Sequence, residues 1–346
     1  MPGRARSTLD GVLRLLECLS GAVPGGDGFR QIGVDELPSV RERARGGDVG
    51  WIDVEDATTE EVDTLSQLFG WHRLIREDLE QGGQRQKAEQ FGDLLMIVVH
   101  LPRLEYIDDR KTIELTEIDM VVGDHWLVSA HSGVPHLMDE VAPLVRARAD
   151  LDENGAMAVV TTLFDRIVDK YEEYADRLAE KVEEQDRELL EPSAANPVES
   201  LRRTAEVRHA VLRLRRATGQ LRELVGVLVR HELVAPGHTD ALDLELRDVY
   251  DHVVRAHDDL DILYERLASL ADTRLALTAY TQNEITKKLS AWGAILLVPT
   301  VVTGWFGMNF HHLGLLGWRH GDLVAFAIIV AIGGLLYLGL RRARWL

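Results

Sequence analysis

Cysteine is almost absent from this chain: of 346 residues only Cys18 carries a thiol. No internal disulfide can form, which suits a reducing compartment. Positive charge is also short, with 39 Lys and Arg against 57 Asp and Glu and a net charge of −18. That balance disfavours nucleic acid as a partner and favours cations. There is no Gly-x-x-x-x-Gly-Lys-Ser/Thr phosphate loop, so no nucleotide cofactor and no ATP-driven engine are expected. His231-Glu232 begins like a zinc-protease helix, but Ala235 stands where the second ligand is needed and His238 lies past Pro236-Gly237. His131 and His136, like His252 and His257, are spaced off a common helical face and read as ordinary surface or hairpin histidines. With no convergent nucleophile, base or cofactor motif, an enzyme is the least favoured class.

Long apolar runs are missing as well until the C-terminus, where there are two. The first covers about Ala291 to Phe306 and the second Leu323 to Leu340, each close to the roughly 20 residues a bilayer core demands. Gly293, Pro299 and Gly304 interrupt the first run, and a spanning helix tolerates them where neighbours or water satisfy the freed backbone. Leu323 to Leu340 holds no charge and is followed by Arg341, Arg342 and Arg344, which argues against a buried hairpin. Lys287 and Lys288 precede the first run, while the connecting loop offers only Arg319. Both termini are therefore expected in the cytoplasm, with a multi-pass pair of spans in the cytoplasmic membrane. Trp292, Trp305, Trp318, Tyr337 and Trp345 fall near the span ends, at headgroup depth and in contact with membrane lipid. Met1 to Asp10 has Arg4 and Arg6 but no apolar core, so no leader is expected. From Thr281 onward six cations face only Glu284 and Asp322, leaving 33 cationic against 55 acidic groups in the rest.

Residues 1–45 are rich in Gly and Arg and read as a variable or mobile N-terminus. Residues 46–238 read as a cytosolic α/β domain with a helical arm. Trp51 to Val54 and Leu94 to Leu101 suit buried strands, Glu60 to Phe69 a helix, and Ile113 to His131 a hairpin turning at Gly123-Asp124. A mixed or antiparallel sheet follows. From Ala156 the pattern is helical, with breakers at Pro192 to Pro197 and at Pro236-Gly237. Residues 239–290 read as a stalk helix: Leu242, Leu246, Val249, Val253, Ala256, Leu260, Leu263, Leu267 and Leu270 form a coiled-coil seam. No proline intervenes from Thr239 to Pro299, so this helix should run into the first span, with residues 291–346 as the membrane domain. Such a helix is expected to pack on partner chains, and two spans per chain need a symmetric ring to enclose an aqueous path.

Between the spans lies Gly307-Met308-Asn309-Phe310. That motif in that position, with Pro299-Thr300, Asn283 ahead of Lys288-Leu289, Arg247-Asp248-Val249-Tyr250-Asp251-His252, and Glu77-Asp78-Leu79 ahead of Gln84-Arg85-Gln86-Lys87, resembles the CorA family of magnesium channels over nearly the whole chain. The resemblance implies an α+β membrane protein, a homopentameric funnel lined by five first-span helices. It implies that Gly307, Met308 and Asn309 form the pore entrance, that Asn283, Thr286, Leu289, Leu297 and Thr300 face the axis, and that Asp78 and Asp248 hold a regulatory Mg²⁺ between subunits. Asn carbonyls suit a hydrated Mg²⁺, which sheds its water reluctantly. Phe306 replaces the tyrosine usual before the tripeptide, Thr286 and Leu297 replace common methionines, and His311-His312 begin a loop without the usual acid.

The expected function is passive import of Mg²⁺, gated by internal Mg²⁺. A zinc, cobalt or nickel transporter of the same superfamily is the alternative, favoured by His311-His312. A membrane-anchored cytosolic sensor is a second, disfavoured because an anchor needs no polar ring.

Overall fold

The computed structural model describes residues 12–18, 29–107, 110–190, 197–230, 232–233, 239–308 and 320–346. The chain divides into two units, Met1–Leu267 and Ala268–Leu346. The first is built on a seven-stranded sheet: β1 Val12–Cys18, β2 Arg30–Gln31, β3 Val49–Glu55, β4 Lys87–Phe91, β5 Leu94–Ile107, β6 Arg110–Val122 and β7 Trp126–His131, in the order β2-β1-β3-β7-β6-β5-β4. β3 and β7 run parallel and every other pair is antiparallel. The sheet is mixed, one of the two arrangements expected, and the parallel β3–β7 pair decides between them.

One face is covered by α1 Leu37–Arg45, α2 Thr59–Phe69 and α3 Arg73–Gln81, whose Val40, Val62, Leu65, Phe69, Ile75 and Leu79 pack on Leu13, Leu15, Ile52, Val54, Val98, Val121, Val128 and Ala130. α2 begins where the Thr58 hydroxyl accepts the Glu61 amide and ends at Gly70 in the left-handed region, φ 69°. The other face meets α5 Leu151–Leu190, against which α4 Pro135–Arg146 packs. There Asp53, fully buried, accepts from Arg14 Nη2 at 2.5 Å and from Ser129 Oγ at 2.6 Å, with His131 Nε2 3.1 Å away. Burial alone would raise its pKa, but the bonds to His131 and Ser129 and the charge of Arg14 hold it below the ordinary value. His131 is therefore a core residue and not a surface one.

Within residues 1–45, expected as a variable or mobile N-terminus, β1 pairs with β3 along its full length and α1 joins the core. The Gly21 to Gly28 run lies outside the described residues, as do Pro192 and Pro236-Gly237.

α5, α6 Pro197–Val229 and the first part of α7 Asp240–Phe306 form a helical arm. The seam is present, with Leu242, Leu246, Val249, Val253, Ala256, Leu260, Leu263 and Leu267 all buried. Its partners differ from expectation. Arg148 and Thr161 of the α4–α5 region hold Glu245, Glu172 holds His252, Arg215 of α6 pairs with Asp261, and Asp186 pairs with Arg266. The seam packs within its own chain, against α5 and α6, and is not the contact between subunits that the heptads suggest. Leu270, also buried, belongs to the second unit.

The second unit holds the rest of α7, unbroken to Phe306, and α8 Gly321–Arg342. Both are long and apolar enough to cross a membrane, and 6% and 0% of their most apolar windows are buried in the chain.

Candidate ion pathway and cation-binding acids

α7 from Asn283 to Phe306 is one helix with large apolar side chains in the open: Leu289 is 72% exposed and Leu297 58%. At about 100° per residue, Asn283, Thr286, Leu289, Leu297 and Thr300 all fall within an arc of about 120°. Ser290, Gly293, Val301 and Gly304 share that arc and were not among the residues expected to face the axis. Trp292, Trp305 and Phe306 lie outside it. The helix thus carries one stripe of small and polar residues with two leucines and Val301 in it, and its aromatic bulk elsewhere.

The threonines add a chemical polarity. Thr286 Oγ1 donates to the Gln282 carbonyl at 2.8 Å and Thr300 Oγ1 to the Leu296 carbonyl at 3.2 Å. Each hydroxyl proton is turned back into the helix, so the oxygen presents lone pairs outward. Such an oxygen accepts from the water shell of a cation. The helix closes with the Gly307 amide donating to Thr303 O at 2.8 Å and the Met308 amide to Trp305 O at 3.4 Å. Asn309 and His311-His312 lie outside the described residues.

The two acids expected in a regulatory site have separate surroundings within the chain. Asp78 sits near the end of α3 and binds Lys87 Nζ at 2.7 Å; Lys87 also reaches Glu89 at 3.1 Å. Burial disfavours the Lys87 ammonium, but its hydrogen bonds to both carboxylates hold its pKa above the ordinary value. Asp248, on α7, leaves 74% of its side chain exposed and is 3.9 Å from His252 Nε2. Among the described residues no group of three or more His, Cys, Asp or Glu is placed to hold a metal within one chain.

Residues 46–342 match the family described as CorA-like Mg²⁺ transporter protein. The cobalt/magnesium transport protein CorA of Thermotoga maritima is 24% identical over 320 residues, 92% of this chain and 89% of that protein. The zinc transport protein ZntB of Yersinia pseudotuberculosis is also 24% identical, over 322 residues, 93% of this chain and 92% of its own. Among solved structures, the complete CorA magnesium transporter from Methanocaldococcus jannaschii superimposes with a TM-score of 0.76 at 21% identity, covering 98% of this chain and 100% of that one. Full-length CmaX gives 0.70 at 17% identity, covering 100% of both chains.

Proposed function

This chain belongs to the CorA-like Mg²⁺ transporter family, and we propose that it is a passive Mg²⁺ importer of the cytoplasmic membrane, working as a homopentamer with both termini in the cytoplasm. The observation that carries this is the polar stripe on exposed α7, whose threonine oxygens face outward as acceptors. Five such stripes around an axis make a conduit for a hydrated cation. Gly307, Met308 and Asn309 form its outer entrance, the Asn309 carbonyls accepting hydrogen bonds from the water shell of Mg²⁺. Leu289 and Leu297 form apolar rings that close by dewetting. Entry of a divalent ion gains about 4.6 kcal/mol per 100 mV of inside-negative potential, so no hydrolysis is needed.

Internal Mg²⁺ closes the channel by bridging Asp78 of one subunit and Asp248 of the next. Asp248 is open to such a partner, and Lys87, by neutralising part of Asp78, keeps the site weak enough to release its ion. Occupancy favours the closed arrangement to the extent that the ion binds it more tightly.

Uptake into liposomes holding the purified protein, with Mg²⁺, Co²⁺, Ni²⁺ and Zn²⁺ compared, tests this reading. Saturable Mg²⁺ flux that Asn309→Ala abolishes without loss of assembly is expected. Near-wild-type flux through assembled Asn309→Ala overturns the entrance assignment. Preferential Zn²⁺ flux replaces the Mg²⁺ reading with the transition-metal one, which the 24% identity to ZntB supports as well as the 24% identity to CorA supports magnesium.

A further inference from the structure

The sheet face under α3 contains two buried acidic oxygens that receive no hydrogen bond from any of the described residues. Glu117 and Asp119 alternate along β6, so both point to the same face as Val121, opposite His100 and Val98 of β5. The Gly82–Gly83 turn after α3, with φ of 58° and 75°, aims the Gly83 and Gln84 amides at Glu117 Oε2, at 2.6 and 3.0 Å. A side chain at either glycine would strain that geometry. Glu117 is thereby fixed as an acceptor, yet its Oε1 is buried without a hydrogen-bond partner. Asp119 Oδ1 is buried and unpartnered too, in a side chain more than nine-tenths buried. Both residues line a cavity of about 190 Å³ beneath the turn.

The cations at hand are committed elsewhere. Lys87 is held by Asp78 and Glu89, and His100 Nε2 lies 2.9 Å from the Gln84 carbonyl, its imidazole kept neutral by burial. Asp78 adds a third carboxylate to the neighbourhood. Burial and the neighbouring Glu117 push the Asp119 carboxyl well above the ordinary carboxylate range, against only a partial opposing effect from the Lys87 charge, so that either a proton shared with Glu117 or a cation must relieve the pair. Mg²⁺ and its mimics are bound by one or two carboxylates while keeping several waters, and the cavity has room for an ion with waters. Exposed Gly83 and Ser132 lie on its rim.

We propose that Glu117 and Asp119 bind a partly hydrated divalent cation in this cavity, wholly within one subunit. The site is distinct from the pore and from the bridge between Asp78 and Asp248, and it stands if either of those fails.

Manganese is the probe, counted by electron paramagnetic resonance on the full-length protein in detergent. Glu117→Gln and Asp119→Asn, which keep the shape of each side chain, should each remove one bound Mn²⁺ per chain. Asp248→Asn should leave that ion in place. Anomalous diffraction from wild-type crystals grown in Mn²⁺ should place a peak between Glu117 and Asp119, and this arm needs no variant to fold. An unchanged count in the folded variants, or no peak in the cavity at saturating Mn²⁺, overturns the site and leaves the pair sharing a proton instead.

Discussion

At the scale of single residues, the pore stripe and the buried acids behave differently under substitution. Thr300→Val keeps the shape and removes only the outward oxygen, so Mg²⁺ flux in liposomes should fall about 2- to 12-fold, the range of one hydrogen bond, with assembly unchanged. Equal flux would remove Thr300 from the lining. Asp53→Asn breaks a buried ion pair and should cost about 3–5 kcal/mol of stability at neutral pH, read as a lowered denaturation midpoint. Because the folded pKa of Asp53 is depressed, its contribution is complete above the ordinary carboxylate range and is lost as pH falls through the folded value. The gap between variant and wild type should therefore hold at pH 6 to 8 and narrow only below about pH 4. The members of the stripe came from the family resemblance, and the fixed helical period is what places them on one arc. Glu117 and Asp119 were not legible in sequence, since Glu117-Ile118-Asp119-Met120 alternates like a strand with one wet face, whereas α3 and the Gly82–Gly83 turn cover that face too.

At the scale of elements, the seam on α7 shows what a heptad pattern leaves open. Its spacing predicted buried leucines correctly, but a stripe of leucines is equally served by a neighbouring chain or by α5 and α6 of the same one. The acids and bases flanking it select the second. Leu260→Asp should therefore unfold the helical arm, at about 3–5 kcal/mol, and lower the thermal transition of the protein even where the oligomer persists. A variant that dissociates with its arm intact would contradict this. β1 was missed for the opposite reason: Leu13, Leu15 and Leu16 sit in an Arg-rich stretch, and their partner β3 is remote in sequence. Pairing across such a separation leaves little local trace. Gly155, with φ 55° and ψ −142°, interrupts α5 at its start, where the Ala156 amide bonds the Asp124 carbonyl at 3.0 Å. Gly155→Ala should cost about 1–3 kcal/mol in unfolding experiments.

At the scale of the whole molecule, the most apolar windows of the two long helices bury almost nothing against their own chain, and under the proposed reading lipid and sister chains cover them. Native mass measurement in detergent should give a closed oligomer, five chains under the proposed reading; a conducting monomer would refute it. Asp248→Lys should make uptake less sensitive to internal Mg²⁺, because a tethered ammonium replaces the bridging ion, and unaltered inhibition would discard the bridge. The threonine hydroxyls carry a further consequence for the sign of the permeant ion. With their hydroxyls directed at helix carbonyls, Thr286 and Thr300 turn acceptor lone pairs outward, and no carboxylate occurs between Glu284 and Asp322. Under the proposed reading, anions are rejected by oriented dipoles and not by fixed charge. Carboxylate rings lose their grip as ionic strength shortens the screening length, but dipoles within touching distance of the ion are scarcely screened. Exclusion of anions in this channel should therefore persist in concentrated salt.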